Sequence, residues 1–230
     1  MAKKLESQNC EECHCKTHVF TKLTDPELEM IHLDRFQVAY KAGEIIFKQG
    51  SPSTYLLCLT SGLVKIYIEG SVKNLILSVI KPVEYIIAPG LYSDNRHHFS
   101  VSALVDSTAC LIDVNIFKKL IRQNHDLAEE FMQRLSIQMI DNFDHTVGLT
   151  QKQMPGRIAD ALFYFSEKIY GSSSFEMVLT RQELADFSGM STESSIRILK
   201  EFKDEGIIEV KKNSIVILNQ ERLKKIQETG

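Results

Sequence analysis

Near the start of the chain, "NCEECHCKTH" (residues 9–18) gathers Cys10, Cys13 and Cys15 with His14 and His18 inside nine positions. Thiolates and imidazoles so crowded can ligate zinc or an iron–sulfur cluster, can close a reversible disulfide, or can form a thiol-bearing tail with no sensory role. A second constellation lies far downstream, where Glu193 and Arg197 stand four positions apart and so share one face of a helix. On such a face an arginine can bind guanine O6 and N7 bidentately while a glutamate accepts from cytosine N4. The competing reading is a surface salt bridge without base readout. A third group, "RHH" at 96–98, offers a guanidinium and two imidazoles. A metal or haem role there competes with a solvated loop, because adjacent histidines on a strand point to opposite faces. Cys58, inside "TYLLCLT", reads as a small apolar core residue.

These groups need elements to position them. From about Phe36 to Val114 the text is short and strand-like: "EIIF", "TYLLCL", "LVKIYI", "LILSVI", "EYIIA", "FSVSALV" and "ACLIDV". Turn-forming "KAG", "QGSPS", "TSG", "EGS" and "PG" separate them, as in a sandwich, jelly roll or barrel. Phe99, Val101, Ala103 and Val105 alternate, which predicts one core face and one wet face. After Asn115 the pattern turns helical. Ala128, Met132, Leu135, Met139, Asn142, Thr146 and Leu149 fall at alternating steps of four and three, the spacing of a helix that meets a partner helix. Docking of that stripe onto the chain's own sheet is the alternative. "MPGR" (154–157) breaks the helix, and a second helical stretch runs to Gly171.

The segment "LTRQELADFSGMSTESSIRILKEFKDEGIIEV" predicts two helices around a tight turn. Thr180 with Glu183 makes a capping box, Gly189 suits the turn, Ser191 caps the second helix and Gly206 ends it. Ile196, Ile198, Leu199 and Phe202 are its expected apolar positions. "IIEVKKNSIVIL" then forms a small hairpin, completing a winged helix-turn-helix whose second helix enters the major groove. The residues expected at DNA are Arg181, Ser191, Thr192, Glu193, Ser195, Arg197, Lys200, Lys211 and Lys212.

Composition sets the bounds. With 230 residues, 43% hydrophobic and 25% charged, the chain fits a soluble globular protein of one large or two ordinary domains. No apolar run approaches the roughly 18 residues of a membrane span. The polar start excludes a signal peptide, and an odd count of five cysteines fits a reducing cytoplasm rather than a disulfide framework. A net charge of −3, and nine basic against nine acidic residues over 180–230, leave nonspecific attraction to phosphate to local arrangement. Phosphate-cradling glycine loops, nucleophile elbows and zincin helices are absent, so no enzyme is expected.

The order strand domain, long helix, winged helix resembles the cyclic-AMP receptor protein / fumarate–nitrate reduction regulator (CRP/FNR) superfamily over nearly the whole chain after residue 20. The resemblance rests on "KAGEIIFKQGSPSTYLLCLTSGLVKIY" (41–67), "RLSIQM" (134–139) and "LTRQELADFSGMSTESSIRILKEFKDEGII" (179–208). It implies an α+β protein with a Cys-rich segment at 1–20 and a jelly-roll-like β-roll of the cyclic-nucleotide-binding type at 21–115. A dimerisation helix at 116–152 and a winged-helix DNA-binding domain at 153–230 would follow. It also implies a cytoplasmic bacterial homodimer that binds double-stranded promoter DNA and RNA polymerase, with no membrane partner, its seam formed by Met132, Leu135, Met139, Asn142, Thr146 and Leu149. Glu193 and Arg197 match the family's base-contacting pair, but Ser195 and Ile196 stand where an apolar and then a small residue is usual. In the family's cyclic-AMP pocket a Gly-Glu pair and an Arg-Ser pair hold ribose and phosphate; Ile87 and Ala88, then His97 and His98, stand near those places, with Arg96 adjacent. Cyclic AMP is therefore not the expected effector. The family's oxygen-sensing branch holds an iron–sulfur cluster with tail cysteines and one internal cysteine, a set that Cys10, Cys13, Cys15 and Cys110 would supply. A redox-, oxygen- or nitric-oxide-responsive regulator using a cluster, another metal or haem is thus one alternative. A nucleotide-binding regulatory module without DNA binding is another.

Overall fold

A computed structural model describes residues 3–5 and 18–230, so Cys10, Cys13 and Cys15 lie outside the described residues. The described chain divides into two compact units. One runs up to Glu69 and resumes over Ser78–Met139; the other takes Gly70–Leu77 and Ile140–Gly230.

The β-roll belongs to the first unit apart from Gly70–Leu77. Its strands are β1 (Lys3–Leu5), β2 (Phe36–Tyr40), β3 (Ile45–Phe47), β4 (Tyr55–Ser61), β5 (Val64–Ile68), β6 (Leu75–Ile80), β7 (Tyr85–Ile86), β8 (Ser100–Ala103) and β9 (Ser107–Asp113). They form a five-stranded sheet in the order β1-β2-β9-β4-β7 and a four-stranded sheet in the order β3-β8-β5-β6. Helix α1 (Asp25–Asp34) starts at Thr24, whose backbone N–H donates to Glu27 Oε2 at 2.8 Å in a capping box, with proline in its first turn. Helix α2 (Val114–Gln123) is capped by Asp113, which accepts from the Asn115 N–H at 2.7 Å. The apolar faces of these helices supply Leu28, Ile31, Phe117 and Leu120 to a core shared with Leu56, Cys58, Cys110 and Ile112.

Strand β8 departs from the expected alternation. All four of its residues are buried, so Ser100 and Ser102 do not form a wet face. The physical reason is that β8 is an interior strand, flanked by β3 and β5, and the Ser100 hydroxyl finds partners inside the protein. It accepts from the Gln49 N–H at 2.8 Å and donates to Glu69 Oε1 at 2.5 Å.

Helix α3 (His125–Gln151) follows α2 after a break at Asn124, whose side-chain oxygen accepts from the Leu127 N–H at 2.9 Å. In the second unit, α4 (Met154–Phe163) carries proline in its first turn and widens into a π-helical stretch, Tyr164–Tyr170, that ends at Gly171. Helices α5 (Arg181–Phe187) and α6 (Thr192–Asp204) follow. The wing contains β11 (Ile208–Lys211) and β12 (Ser214–Ile217) as expected, plus β10 (Ser174–Glu176), which pairs with β12. Helix α7 (Gln220–Thr229), not anticipated from sequence, docks on α4, where Gln227 Nε2 and Lys152 Nζ both donate to Asp160 Oδ1 at 2.8 and 2.7 Å.

Gly62 turns the chain between β4 and β5 at φ 86°, a left-handed conformation. A Cβ there would strike the Ser107 hydroxyl and sit 2.7 Å from both Asp106 O and Ser107 Cα. Gly62→Ala is therefore expected to lower the unfolding free energy of the roll by about 1–3 kcal/mol, read as a lower urea midpoint.

Candidate functional site

The helix-turn-helix is held by its caps and its turn. The Thr180 hydroxyl accepts from the Glu183 N–H at 3.2 Å, and Glu183 Oε2 accepts in return from the Thr180 N–H at 2.8 Å. Gly189 adopts φ 64° in the turn, and the Met190 N–H donates back to Ala185 O at 3.0 Å. A Cβ on Gly189 would lie 3.0 Å from Leu149 Cδ2, so the absent side chain is also a packing requirement. Ser191 caps α6 by accepting from the Ser194 N–H at 3.2 Å.

The rotation of α6 about its axis decides what faces outward. Ser195, Ile198, Leu199 and Phe202 form the buried face, with Ser195 at 0% exposure. This corrects two expectations: Ser195 cannot reach DNA, and Ile196, placed among the apolar core positions, is 49% exposed. The reason is helical phase. Positions 195, 198, 199 and 202 are the i, i+3, i+4, i+7 set, and Leu199 and Phe202 anchor that set to the core. Outward stand Thr192, Glu193, Ile196, Arg197 and Lys200.

Electrostatics within the motif are local. Arg197 Nη1 lies 3.3 Å from Glu201 Oε1, one turn on, so its nearest carboxylate is Glu201 and not Glu193. The Glu193 carboxyl is held below its ordinary value by its own backbone N–H and by the Ser191 hydroxyl, which keeps it an acceptor. A polar relay links the two helices: Thr192 Oγ1 donates to Gln182 Oε1 at 2.5 Å, and Gln182 Nε2 donates to Asp186 Oδ1 at 2.9 Å. Gln182 was not among the residues expected from sequence, where nothing distinguishes it from any polar residue on α5. Arg181 is half-buried, which lowers its pKa, and its Nη2 donates to the Lys212 carbonyl at 3.0 Å, bracing the wing. Lys211 Nζ pairs with Glu209 at 2.6 Å, while Lys200 and Lys212 are exposed.

Along α3 a row of apolar side chains faces outward. Met132, Leu135 and Met139, expected at a seam, belong to it; Ile140, Phe143 and Val147 extend it, with Phe143 61% exposed. Asn142 and Thr146 are exposed beside the row, the Thr146 hydroxyl donating to Asn142 O at 2.7 Å. Leu149 is only half-buried and packs toward the Gly189 turn.

A cyclic nucleotide-binding domain model matches residues 37–124, and a Crp-like helix-turn-helix domain model matches 156–226. The fumarate and nitrate reduction regulatory protein of Vibrio cholerae is 24% identical, over 96% of this chain and 93% of that protein. The cAMP-activated global transcriptional regulator CRP of Escherichia coli is 28% identical, over 84% of this chain and 95% of that one. The fold is also that of FixK2 from Bradyrhizobium japonicum, with a TM-score of 0.78 at 20% identity, covering 85% of this chain and 98% of that one. This chain belongs to the CRP/FNR family.

As a CRP/FNR-type transcription regulator it carries a helix-turn-helix DNA-binding domain at its C-terminal end. In its roll, the residues near the family's nucleotide pocket differ in burial and in partners. Arg96 Nη1 donates to Gly50 O at 2.6 Å. His97 is buried, stacks on Phe47 with ring centroids 4.4 Å apart, and burial lowers its pKa, so it stays neutral. His98 is exposed with Nε2 3.1 Å from Asp94 Oδ1, while Ala88 is buried and Ile87 packs against the apolar core. Of the four cysteines expected at a metal site, Cys110 is described. It lies opposite Cys58 across β9 and β4 and accepts from Arg35 Nη1 at 3.2 Å. Among the described residues no group of three or more His, Cys, Asp or Glu is placed to hold a metal.

Ser195 Oγ is buried without a hydrogen-bond partner among the described residues. Ser195→Ala is thus expected to leave DNA affinity unchanged and to raise stability by roughly 1 kcal/mol, checked by urea unfolding beside a gel-shift titration.

Proposed function

We propose that this regulator is a homodimer that reads promoter DNA through α6, and that an effector in its roll repositions the winged helices. The observation that carries the reading is the outward face of α6, where Glu193 and Arg197 project from the first turns behind a capped, glycine-dependent bend. Lys200, Lys211, Lys212 and the Ser191 hydroxyl flank that face and suit phosphate contacts. The exposed apolar row of Met132, Leu135, Met139, Ile140, Phe143 and Val147 suits burial against a second copy of the helix. Asn142 and Thr146 border the row and suit register. The protein acts by binding rather than catalysis, in the cytoplasm, with RNA polymerase as a further partner.

The effector of this reading is not cyclic AMP. A phosphate in a half-buried pocket needs a cationic fork beside it. Arg96 already serves a backbone carbonyl, His97 is neutral, and Lys48 and Ser100 both bind Glu69. The reading is tested by gel shift against promoter fragments at low salt. Wild type is expected to bind specifically and to sediment as a dimer. Arg197→Ala is expected to lose about 2 kcal/mol, roughly 30-fold, while sedimenting as the same dimer. Specific binding retained by that variant overturns the assigned face.

One observation favours redox sensing as the signal. Arg35 is 8% exposed, and its Nε and Nη2 have no hydrogen-bond partner among the described residues. A guanidinium buried in this way calls for an anion, and the adjacent Cys110 sulfur is where one fits. A thiolate-ligated, anionic iron–sulfur cluster held by Cys10, Cys13, Cys15 and Cys110 satisfies that demand and would supply sensitivity to oxygen. Anaerobic purification is expected to yield a brown protein whose visible absorbance disappears in Cys110→Ser. A colourless protein without iron or zinc removes this second reading and leaves the DNA-binding one standing.

A further inference from the structure

The exposed half of α6 consists of two adjacent files. Glu193, Arg197 and Glu201 form one at four-residue intervals; Thr192, Ile196 and Lys200 form the other. Ile196 is the single aliphatic side chain of α6 that remains exposed, at 49%, and the helix packs without it through Ser195, Ile198, Leu199 and Phe202. Its neighbours in the file are occupied elsewhere or reach further. Thr192 donates to Gln182, which Asp186 orients, and Lys200 lies two turns beyond the helix start at a length suited to phosphate. An aliphatic group that the helix does not use in its own packing is available for an apolar contact with a bound partner, which would take its surface out of water.

We propose that Ile196 is a specificity-determining residue that packs on the C5-methyl group of a thymine in the major groove, beside the base pair met by Arg197. The thymine methyl is the apolar group that major-groove edges offer. Ile196 is three residues from Glu193 and adjacent to Arg197, so an apolar contact there extends the footprint by a neighbouring base. Ser195 is excluded from this role by its burial. The proposal rests on the reading of α6 as the recognition helix.

The test removes one methyl group at a time. Wild-type protein selects its site from randomised duplex DNA, and duplexes of that site are then made with single thymine-to-uracil replacements, which keep the pairing edge and O4. Wild type is expected to lose roughly fourfold in affinity at one thymine per half-site and nothing at the others. Ile196→Ser is expected to bind the thymine and uracil duplexes equally at that position, with an unchanged unfolding midpoint. Arg197→Ala, run on the same duplexes, separates the two claims: wild-type binding by it overturns the recognition-helix reading itself. If Arg197→Ala loses binding but no single uracil matters to wild type, or Ile196→Ser keeps the wild-type thymine preference, the assignment of Ile196 is overturned alone.

Discussion

The burial of Leu199 and Phe202 sets the rotation of α6, and the chemistry of the DNA-binding unit depends on that rotation. A helix has one free angle once its axis is placed, and these two side chains determine it by filling the core between α4, α5 and the wing. Ser195 follows them inward even though its hydroxyl gains no partner among the described residues. Two large apolar side chains outweigh one orphaned hydroxyl: each contributes about 2–3 kcal/mol on burial against a penalty of about 1–3 kcal/mol for the hydroxyl. Ile196, one step of about 100° away, is carried outward by the same rotation. The caps at Thr180 and Ser191 and the left-handed Gly189 hold the two helices at the angle that makes this packing available.

In the roll, polar groups are largely consumed by one another. Glu69 receives Lys48 and Ser100, which hold its carboxyl below the ordinary range, and Gln49 ties the same corner to β8. Tyr85 of β7, opposite Cys58 of β4, is different: its hydroxyl has no hydrogen-bond partner among the described residues, and burial pushes its phenol well up so that it stays neutral. Arg35 differs from the other buried polar groups of the roll in carrying charge, and its hydrogen-bond partner among the described side chains is a thiol. A low-dielectric core makes such a group costly, and the Cys110 sulfur is the side-chain partner it has among the described residues.

The outward row on α3 shows how a small difference in period matters over a long helix. A strict heptad counted from Ala128 arrives at Asn142 and Leu149. An α-helix drifts about 20° per heptad from that count, and over three heptads the exposed apolar face moves onto Phe143 and Val147. Leu149 meanwhile turns toward Gly189 and serves the core of the DNA-binding unit. One stripe in the sequence thus divides between an exposed apolar face and a local packing contact.

Local sequence was sufficient wherever a short-range rule decides structure. The capping box of Thr180 and Glu183, the turn at Gly189, the stop at Gly206 and the hairpin through Lys212 are each legible because their partners lie within a few residues. The order of strands, long helix and winged helix was legible for the same reason. Long-range packing decided what those rules leave open. That Ser195 points in and Ile196 out, that both faces of β8 are covered, that Arg35 meets Cys110 from 75 residues away, and that Gln182 holds Thr192 all depend on which surfaces the fold presses together. Periodicity says that a helix has an apolar side, but the balance of side-chain volumes across the core decides where that side begins and ends.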